Sequence, residues 1–121
     1  EEAEKFLKEK YSMSDFNSYQ RSASATAIYP DKHKILYPAL GLAGEAGEVA
    51  NKVKKIIRDG PDQMPDDWRE QLASEIGDVL WYCAALATDL NLTLGMIAGQ
   101  NEAKLRRRKE SGKLGGSGDN R

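Results

Sequence analysis

Four acidic residues of the chain fall into two pairs with the same internal spacing. Glu45 and Glu48 are three residues apart, as are Glu75 and Asp78, and the second pair follows the first at an offset of 30 residues. Residues three apart lie on the same side of a helix, so each pair presents two carboxylates at one place. Such carboxylates repel each other more strongly as burial lowers the dielectric constant, and we therefore expect a cation beside them.

The segments around the two acid pairs are also alike. Residues 41–50 read GLAGEAGEVA and residues 71–80 read QLASEIGDVL. On a helix, the apolar residues of each segment form a stripe that we expect to face a core, with the acids at its flank. The stripes consist of Leu42, Ala46, Val49, Val53 and Ile56 in the first segment and Leu72, Ile76, Val79, Cys83 and Leu86 in the second. We expect Gly47 and Gly77, inside the acid pairs, to let another group approach closely.

The types of donor atom indicate which metal such a site would bind. Two antiparallel helices carrying four carboxylates form an all-oxygen site suited to Mg²⁺, with Mn²⁺ as a possible substitute. The chain has one histidine, His33, and one cysteine, Cys83, which support neither a di-iron bundle site nor a zinc site. The alternative is that the acids are ordinary solvated helix charges, with Glu48 and Lys52 forming an i,i+4 ion pair.

Proline and glycine residues divide the chain into long segments with helical periodicity and few strand signals, which predicts an all-α fold. The predicted helices run from Ser14 to before Pro30, from near Pro38 to the stop at Asp59, Gly60 and Pro61, from Asp66 or Asp67 to about Leu90, and from a cap at Asn91 or Thr93 to about Ser111. For residues 1–12 we expect either a short extra helix or a frayed end, and the sequence does not decide between them. Because the first residue is Glu1 and not Met, we expect a few native residues to precede it.

Length and composition indicate one domain. With 121 residues the chain is long enough to bury a core without disulfides. We predict a single helical domain over residues 1–114 and a Gly-rich tail over residues 115–121, which composition alone would make disordered.

Charge and hydropathy exclude several classes of protein. A net charge of -1 argues against a dedicated nucleic-acid binder, and no apolar run approaches the length of about 18 residues that a membrane span needs. The single cysteine cannot pair within the chain, so we expect a soluble protein in the reducing cytoplasm.

The acid pattern and its neighbouring segments resemble the MazG-like branch of the all-α nucleoside triphosphate pyrophosphohydrolases, in particular the small phage and integron type. The similar segments are YPALGLAGEAGEVANKVKK at 37–55, QLASEIGDVLWY at 71–82, NEAKLRRR at 101–108 and GSGDNR at 116–121. The resemblance covers most of the chain and includes all four acids. For the tail it implies an ordered role, for instance at the active site of a partner subunit, and the sequence leaves this open beside the disorder that composition favours.

This resemblance implies a four-helix-bundle-like MazG fold that is oligomeric, as a homodimer or homotetramer. It further implies that the protein cleaves nucleoside triphosphates to monophosphates and pyrophosphate, as in house-cleaning of the nucleotide pool. Mg²⁺ would be bound by Glu45, Glu48, Glu75 and Asp78. A triphosphate and four carboxylates are both anionic, and bridging divalent cations make their association favourable. We select Glu48 as the catalytic residue that orients or deprotonates the attacking water, although any of the four acids can do so.

Two residues beside the acids are candidates for substrate binding. Lys52 lies four residues after Glu48, where it either contacts a phosphate or pairs with that acid. Tyr82 occupies the equivalent place after Asp78, where its ring either stacks on a base or packs in the core or a dimer contact.

The fourth predicted helix carries a polar face with an amide and two cations, formed by Asn101, Lys104 and Arg108. The resemblance supports Asn101 and Lys104 as substrate-binding residues. It adds Arg107 or Arg108 as a further phosphate ligand, which a neighbouring subunit can supply. The alternative is a cationic helix end that complements the helix dipole.

Two other functions are compatible with the same pattern. One is a dUTPase-like or phosphoribosyl-ATP pyrophosphohydrolase-like enzyme, which would share the metal site and differ in its pocket. The other is a non-catalytic helical oligomerisation module, whose acids bind structural cations or partner lysines. The sequence does not indicate the base preference.

Overall fold

The structure, a computed structural model, describes residues 15–121, which form four α-helices and no strand. The helices are α1 (Phe16–Ser24), α2 (Leu36–Asp59), α3 (Trp68–Asp89) and α4 (Leu94–Glu110), with short 3-10 turns at Asp31–His33 and Pro61–Gln63. The all-helical prediction is confirmed. The extra helix or frayed end expected for residues 1–12 and the N-cap expected at Ser14 lie outside the described residues.

The helix boundaries follow the local capping chemistry. The side chain of Asp15 accepts a hydrogen bond of 2.7 Å from the Ser18 amide and so caps α1, one residue later than we expected. Thr93 caps α4 by accepting from the Met96 amide at 3.1 Å, and Gly60 ends α2 with a φ of 86°. Pro38 lies in the first turn of α2. Backbone N–H groups in a first turn have no intrahelical acceptor, so the lack of an N–H group in proline costs no hydrogen bond there.

The helices pack around α3. The most extensive packing is between α2 and α3, while α1 packs on α3 and also contacts α4. The buried cluster at the centre consists of Ala23, Ala84, Ala87 and Leu94, with Tyr19, Trp81 and Cys83 packed against it. Because most of these side chains are small, α1 and α3 approach each other closely.

The chain turns sharply between its last two helices. The axes of α3 and α4 differ in direction by 103°. No single helix within residues 15–121 is long and apolar enough to cross a membrane, and α3 and α4 reach that length and apolarity only as this bent pair.

The two apolar stripes are only partly covered within one chain, so the expectation that both face a core is half correct. Cys83 and Leu86 are half-buried, but Val53 is 41% exposed and Ile76 is 58% exposed. Ile57, further along α2, is 81% exposed. The helix pair that carries the acids therefore keeps a broad apolar surface in contact with solvent.

The loop before α2 is held by a single carboxylate. Asp89 accepts hydrogen bonds from the Tyr29 hydroxyl at 2.8 Å and from the Ile35 amide at 2.9 Å. Ile35 has a φ of 69°, a conformation that a β-branched residue adopts only when its surroundings hold it there. The Asp89 contacts therefore determine where α2 begins relative to α3.

We expect Tyr29 to ionise at higher pH than an ordinary tyrosine. Burial, followed by the hydrogen bond to Asp89 and the charge of that carboxylate, raises the pKa of Tyr29 to about 12. Because the folded-state pKa lies above the unfolded value of about 10, the stability from this contact is complete below pH 10 and is lost as the pH rises through 12. The difference in phenolate absorbance between the wild type and Tyr29→Phe measures this titration and should appear near pH 12. A difference that appears near pH 10 would contradict the prediction.

Candidate metal and nucleotide site

Three of the four predicted metal ligands meet between α2 and α3. Glu45 and Glu75 are half-buried and Asp78 is exposed, and one carboxylate oxygen of each lies within 4.8 Å of the other two. The i,i+3 spacing of Glu75 and Asp78 brings both to the helix face that packs on α2. The three residues form the acid cluster.

Repulsion within the acid cluster affects its protonation. Partial burial, followed by the charges of Asp78 and Glu75 and a hydrogen bond to Glu75, raises the pKa of Glu45. The Lys52 ammonium lies 3.6 Å from the Glu75 Oε1 atom, so the cation expected beside the acids is present. One ammonium does not balance three carboxylates, and the all-oxygen donor set of the cluster suits a hard divalent cation.

Glu48 lies outside this group of three. It is exposed, one turn beyond Glu45 on α2, and its charge is among those that raise the Glu45 pKa. The structure thus brings together three of the expected ligands and leaves Glu48 beside them at the solvent edge.

Aromatic side chains form a wall next to the acid cluster. A cavity of about 350 Å³ is lined by Thr26, Glu45, Asp78, Trp81 and Tyr82. The rings of Trp81 and Tyr82 meet edge to face with centroids 5.0 Å apart, and the Trp81 Nε1 atom donates a hydrogen bond of 2.8 Å to the Thr26 hydroxyl. An apolar wall beside an anionic cluster can bind a molecule that carries both a ring and phosphates.

Sequence reasoning missed two residues that line this cavity. Trp81 packs against the buried cluster, and its ring also lines the cavity. Thr26 comes from the loop after α1, 55 residues away in sequence from its hydrogen-bond partner. No local pattern signals that contact.

The close approach expected at the glycines of the acid pairs is not made by another part of the same chain. Among residues 15–121, no atom that could obstruct a side chain lies within 4 Å of a Cβ built on Gly47 or on Gly77. The Tyr82 ring lies directly over Gly41, where a Cβ would overlap the ring. The absence of a side chain at Gly41 thus allows Tyr82 to line the cavity.

We expect Gly41→Ala to displace the Tyr82 ring. The new methyl group would overlap the ring, and overpacking of this kind costs about 1–3 kcal/mol. Gly44→Ala is the matched control, because it lies one turn further along the same helix and a Cβ there meets no other side chain in the part of the chain that the structure describes. The thermal midpoint and the near-ultraviolet circular dichroism should both change in Gly41→Ala relative to the control. Equal spectra and midpoints would contradict the packing of Tyr82 on Gly41.

Three of the four predicted substrate-binding residues of α4 lie at a second cavity. Lys104, Arg107 and Arg108 line a volume of about 270 Å³ together with residues of the tail, whereas Asn101 is exposed on α4 and does not line it. At 1.5 Å per residue, Asp78 lies about 16 Å before the end of α3 and Lys104 about 15 Å beyond the start of α4. With the axes at 103°, the two residues of one chain are on the order of 20 Å apart.

Comparisons with known proteins agree with these features. The family model of the MazG nucleotide pyrophosphohydrolase domain matches residues 33–112, which include the acid cluster. A curated relative, the Gene 37 protein of Mycobacterium phage L5, is 47% identical over 109 residues, covering 85% of this chain and 96% of the relative. No solved structure gives a significant match. The chain is therefore a member of the MazG nucleotide pyrophosphohydrolase family.

Proposed function

We propose that the protein is a Mg²⁺-dependent pyrophosphohydrolase that converts (d)NTP to (d)NMP and pyrophosphate. The observation that carries the proposal is the acid cluster, in which two facing helices bring three carboxylates within 4.8 Å beside an aromatic wall. Membership of the MazG family supports the reaction class. Control of the nucleotide pool is the role we propose for it.

The acid cluster is the proposed metal site. Glu45, Glu75 and Asp78 would hold the ion, with Glu48 as the fourth acid at the solvent edge. When bound, Mg²⁺ polarises the phosphoryl group and lowers the pKa of a coordinated water. Mn²⁺ is the expected substitute because it accepts the same oxygen ligands.

Residues around the cluster position the other parts of the nucleotide. Lys52, 3.6 Å from Glu75, can turn its ammonium to a phosphate oxygen once the carboxylates are neutralised. The rings of Tyr82 and Trp81 would stack on the base or sugar, which every nucleoside permits because each base has a π-face. A wall of this kind fixes orientation more than base identity.

Glu48 is the proposed catalytic residue. Its carboxylate is solvent-exposed beside the cluster, so it can accept a proton from an entering water without being a ligand of the ion. Glu48→Gln should retain Mg²⁺ binding and lose about a hundredfold or more in turnover, because an amide cannot take the proton. Near-normal turnover of this variant at saturating Mg²⁺ would exclude the role.

We further propose that the protein functions as a homo-oligomer, either a dimer or a tetramer. The apolar surface at Val53, Ile57 and Ile76 lies on the two helices that carry the acids and would be covered by a second copy. Because Lys104 lies on the order of 20 Å from Asp78 of its own chain, we propose that it contacts a nucleotide held by another copy. The other substrate-binding residues predicted on α4 would do the same: Asn101, Arg107 and Arg108.

Product analysis tests the proposed function. The purified protein is incubated with each common NTP and dNTP, with Mg²⁺ or with EDTA, and the phosphate products are resolved. Monophosphate plus pyrophosphate, formed only with Mg²⁺, is the expected result and also ranks the bases. Diphosphate plus phosphate would contradict the proposed reaction, and hydrolysis that is equal in EDTA would contradict the proposed metal dependence.

A further inference from the structure

The tail folds back onto the end of α4. Gly116 and Gly118 have φ values of 90° and 85°, which turn the chain in a way that residues with side chains rarely allow. The turned segment places Asp119 against two α4 cations, with its Oδ1 atom 3.5 Å from the Lys104 ammonium and 3.4 Å from the Arg108 guanidinium. These cations lower the pKa of Asp119, Lys104 having the larger effect.

Arg108 is the main anomaly of this region. It is a charged residue only 7% exposed, and its guanidinium NH2 group donates to the carbonyl oxygens of Gly118 and Asp119 at 3.4 and 3.2 Å. Its Nε–H group is buried and has no acceptor among residues 15–121, and the same is true of the Arg121 Nε–H group. Buried guanidinium groups are normally paired, so the pocket has more donors than acceptors.

The charges in the cavity have the same imbalance. Its lining contains five cationic side chains and one carboxylate: Lys104, Arg107, Arg108, Lys113 and Arg121 against Asp119. The Asp119 side chain is 84% exposed and its contacts with the cations are long, so an incoming anion can displace it. Complementing the helix dipole accounts for cations near the end of α4 but not for burial of the Arg108 side chain.

We propose that the end of α4 and the tail together form a binding site for phosphate oxyanions, in which Arg121 is a ligand and Asp119 occupies the anion position until a phosphate displaces it. This inference deepens the proposed function, because the pyrophosphate product and the triphosphate of a nucleotide held by another copy are the two sources of such an oxyanion. Arginine suits the ligand because its planar fork matches two phosphate oxygens.

Calorimetric titration of the full chain with pyrophosphate in EDTA tests the site without metal or turnover. Wild type should bind, and Arg121→Ala should bind about tenfold more weakly, the loss expected for one charge-assisted pair. Lys109→Ala is the matched control, since it removes an exposed α4 cation that does not line the cavity, and it should change the affinity less than about twofold. Asp119→Asn should bind more tightly than wild type, because it removes the competing charge.

Three results would overturn the proposal: no binding of pyrophosphate by wild type, equal affinities of Arg121→Ala and Lys109→Ala, or loss of binding in Asp78→Asn, which would assign the binding to the acid cluster. Because the titration contains no metal, it succeeds or fails independently of the proposed hydrolysis. The KM for the nucleotide, measured during hydrolysis with Mg²⁺, then separates the two sources of the oxyanion. A raised KM in Arg121→Ala means that the site binds the phosphates of the nucleotide. An unchanged KM together with weaker pyrophosphate binding means that the site binds free pyrophosphate.

Discussion

Replacing Asp78 with Asn should abolish Mg²⁺-dependent hydrolysis while leaving the fold intact. The side chain is exposed, and its carboxylate lies within 4.8 Å of those of Glu45 and Glu75. An amide of the same shape keeps the packing but removes one ligand charge from the metal site. We expect turnover to fall by about three orders of magnitude, since both metal binding and water activation depend on the cluster.

The same variant should respond differently to metal in thermal unfolding. In EDTA its midpoint should equal or exceed that of wild type, because one of three mutually repelling carboxylates is neutralised. Added Mg²⁺ should stabilise wild type by binding the folded state and should stabilise Asp78→Asn much less. Asp62→Asn, an exposed acid in the turn after α2, is the control and should behave as wild type in both measurements. Wild-type turnover of Asp78→Asn at saturating Mg²⁺ would contradict the assignment.

Gln20→Ala should produce the largest loss of stability that we predict. Gln20 is 8% exposed, and its amide joins α1 to both sides of the turn between α3 and α4. Its Nε2 atom donates to the Thr88 hydroxyl at 2.9 Å and the Leu92 carbonyl at 3.0 Å, and its Oε1 atom accepts from the Leu94 amide at 2.7 Å. Truncation leaves the Leu94 amide without its side-chain acceptor and opens a void beside the core.

The expected cost is on the order of 3 kcal/mol, the sum of unsatisfied buried polar groups and lost packing. Urea unfolding at fixed protein concentration measures it, and Ser18→Ala is the control because its hydroxyl contact with Arg21 on the same helix is exposed. A loss below about 1 kcal/mol for Gln20→Ala would mean that α1 is held mainly by other contacts. Since α1 positions Thr26 against Trp81, the aromatic wall should also loosen in this variant.

The helices, and those of their ends that a neighbouring side chain caps, followed from the sequence because their causes are local. Thr93 caps α4 as one of the two expected residues. The third helix begins directly after Asp67 as predicted, although the Asp67 side chain makes no capping hydrogen bond. Capping needs only a side-chain oxygen within three residues of an amide, and sequence spacing specifies that distance. The i,i+3 spacing likewise placed Glu75 and Asp78 on one helix face.

How the helices meet was decided only by the tertiary structure. Spacing along one helix does not determine the offset of α2 against α3, and that offset brings Glu45 into the acid cluster while Glu48 stays at the edge. The tail is a second instance, since composition favours disorder, yet Gly116 and Gly118 turn it onto α4. Local sequence features were thus sufficient to predict the helices, the acidic residues of the site and the family of this protein. Interhelical distances and angles determined which side chains share a site, because they depend on the packing of residues far apart in the chain.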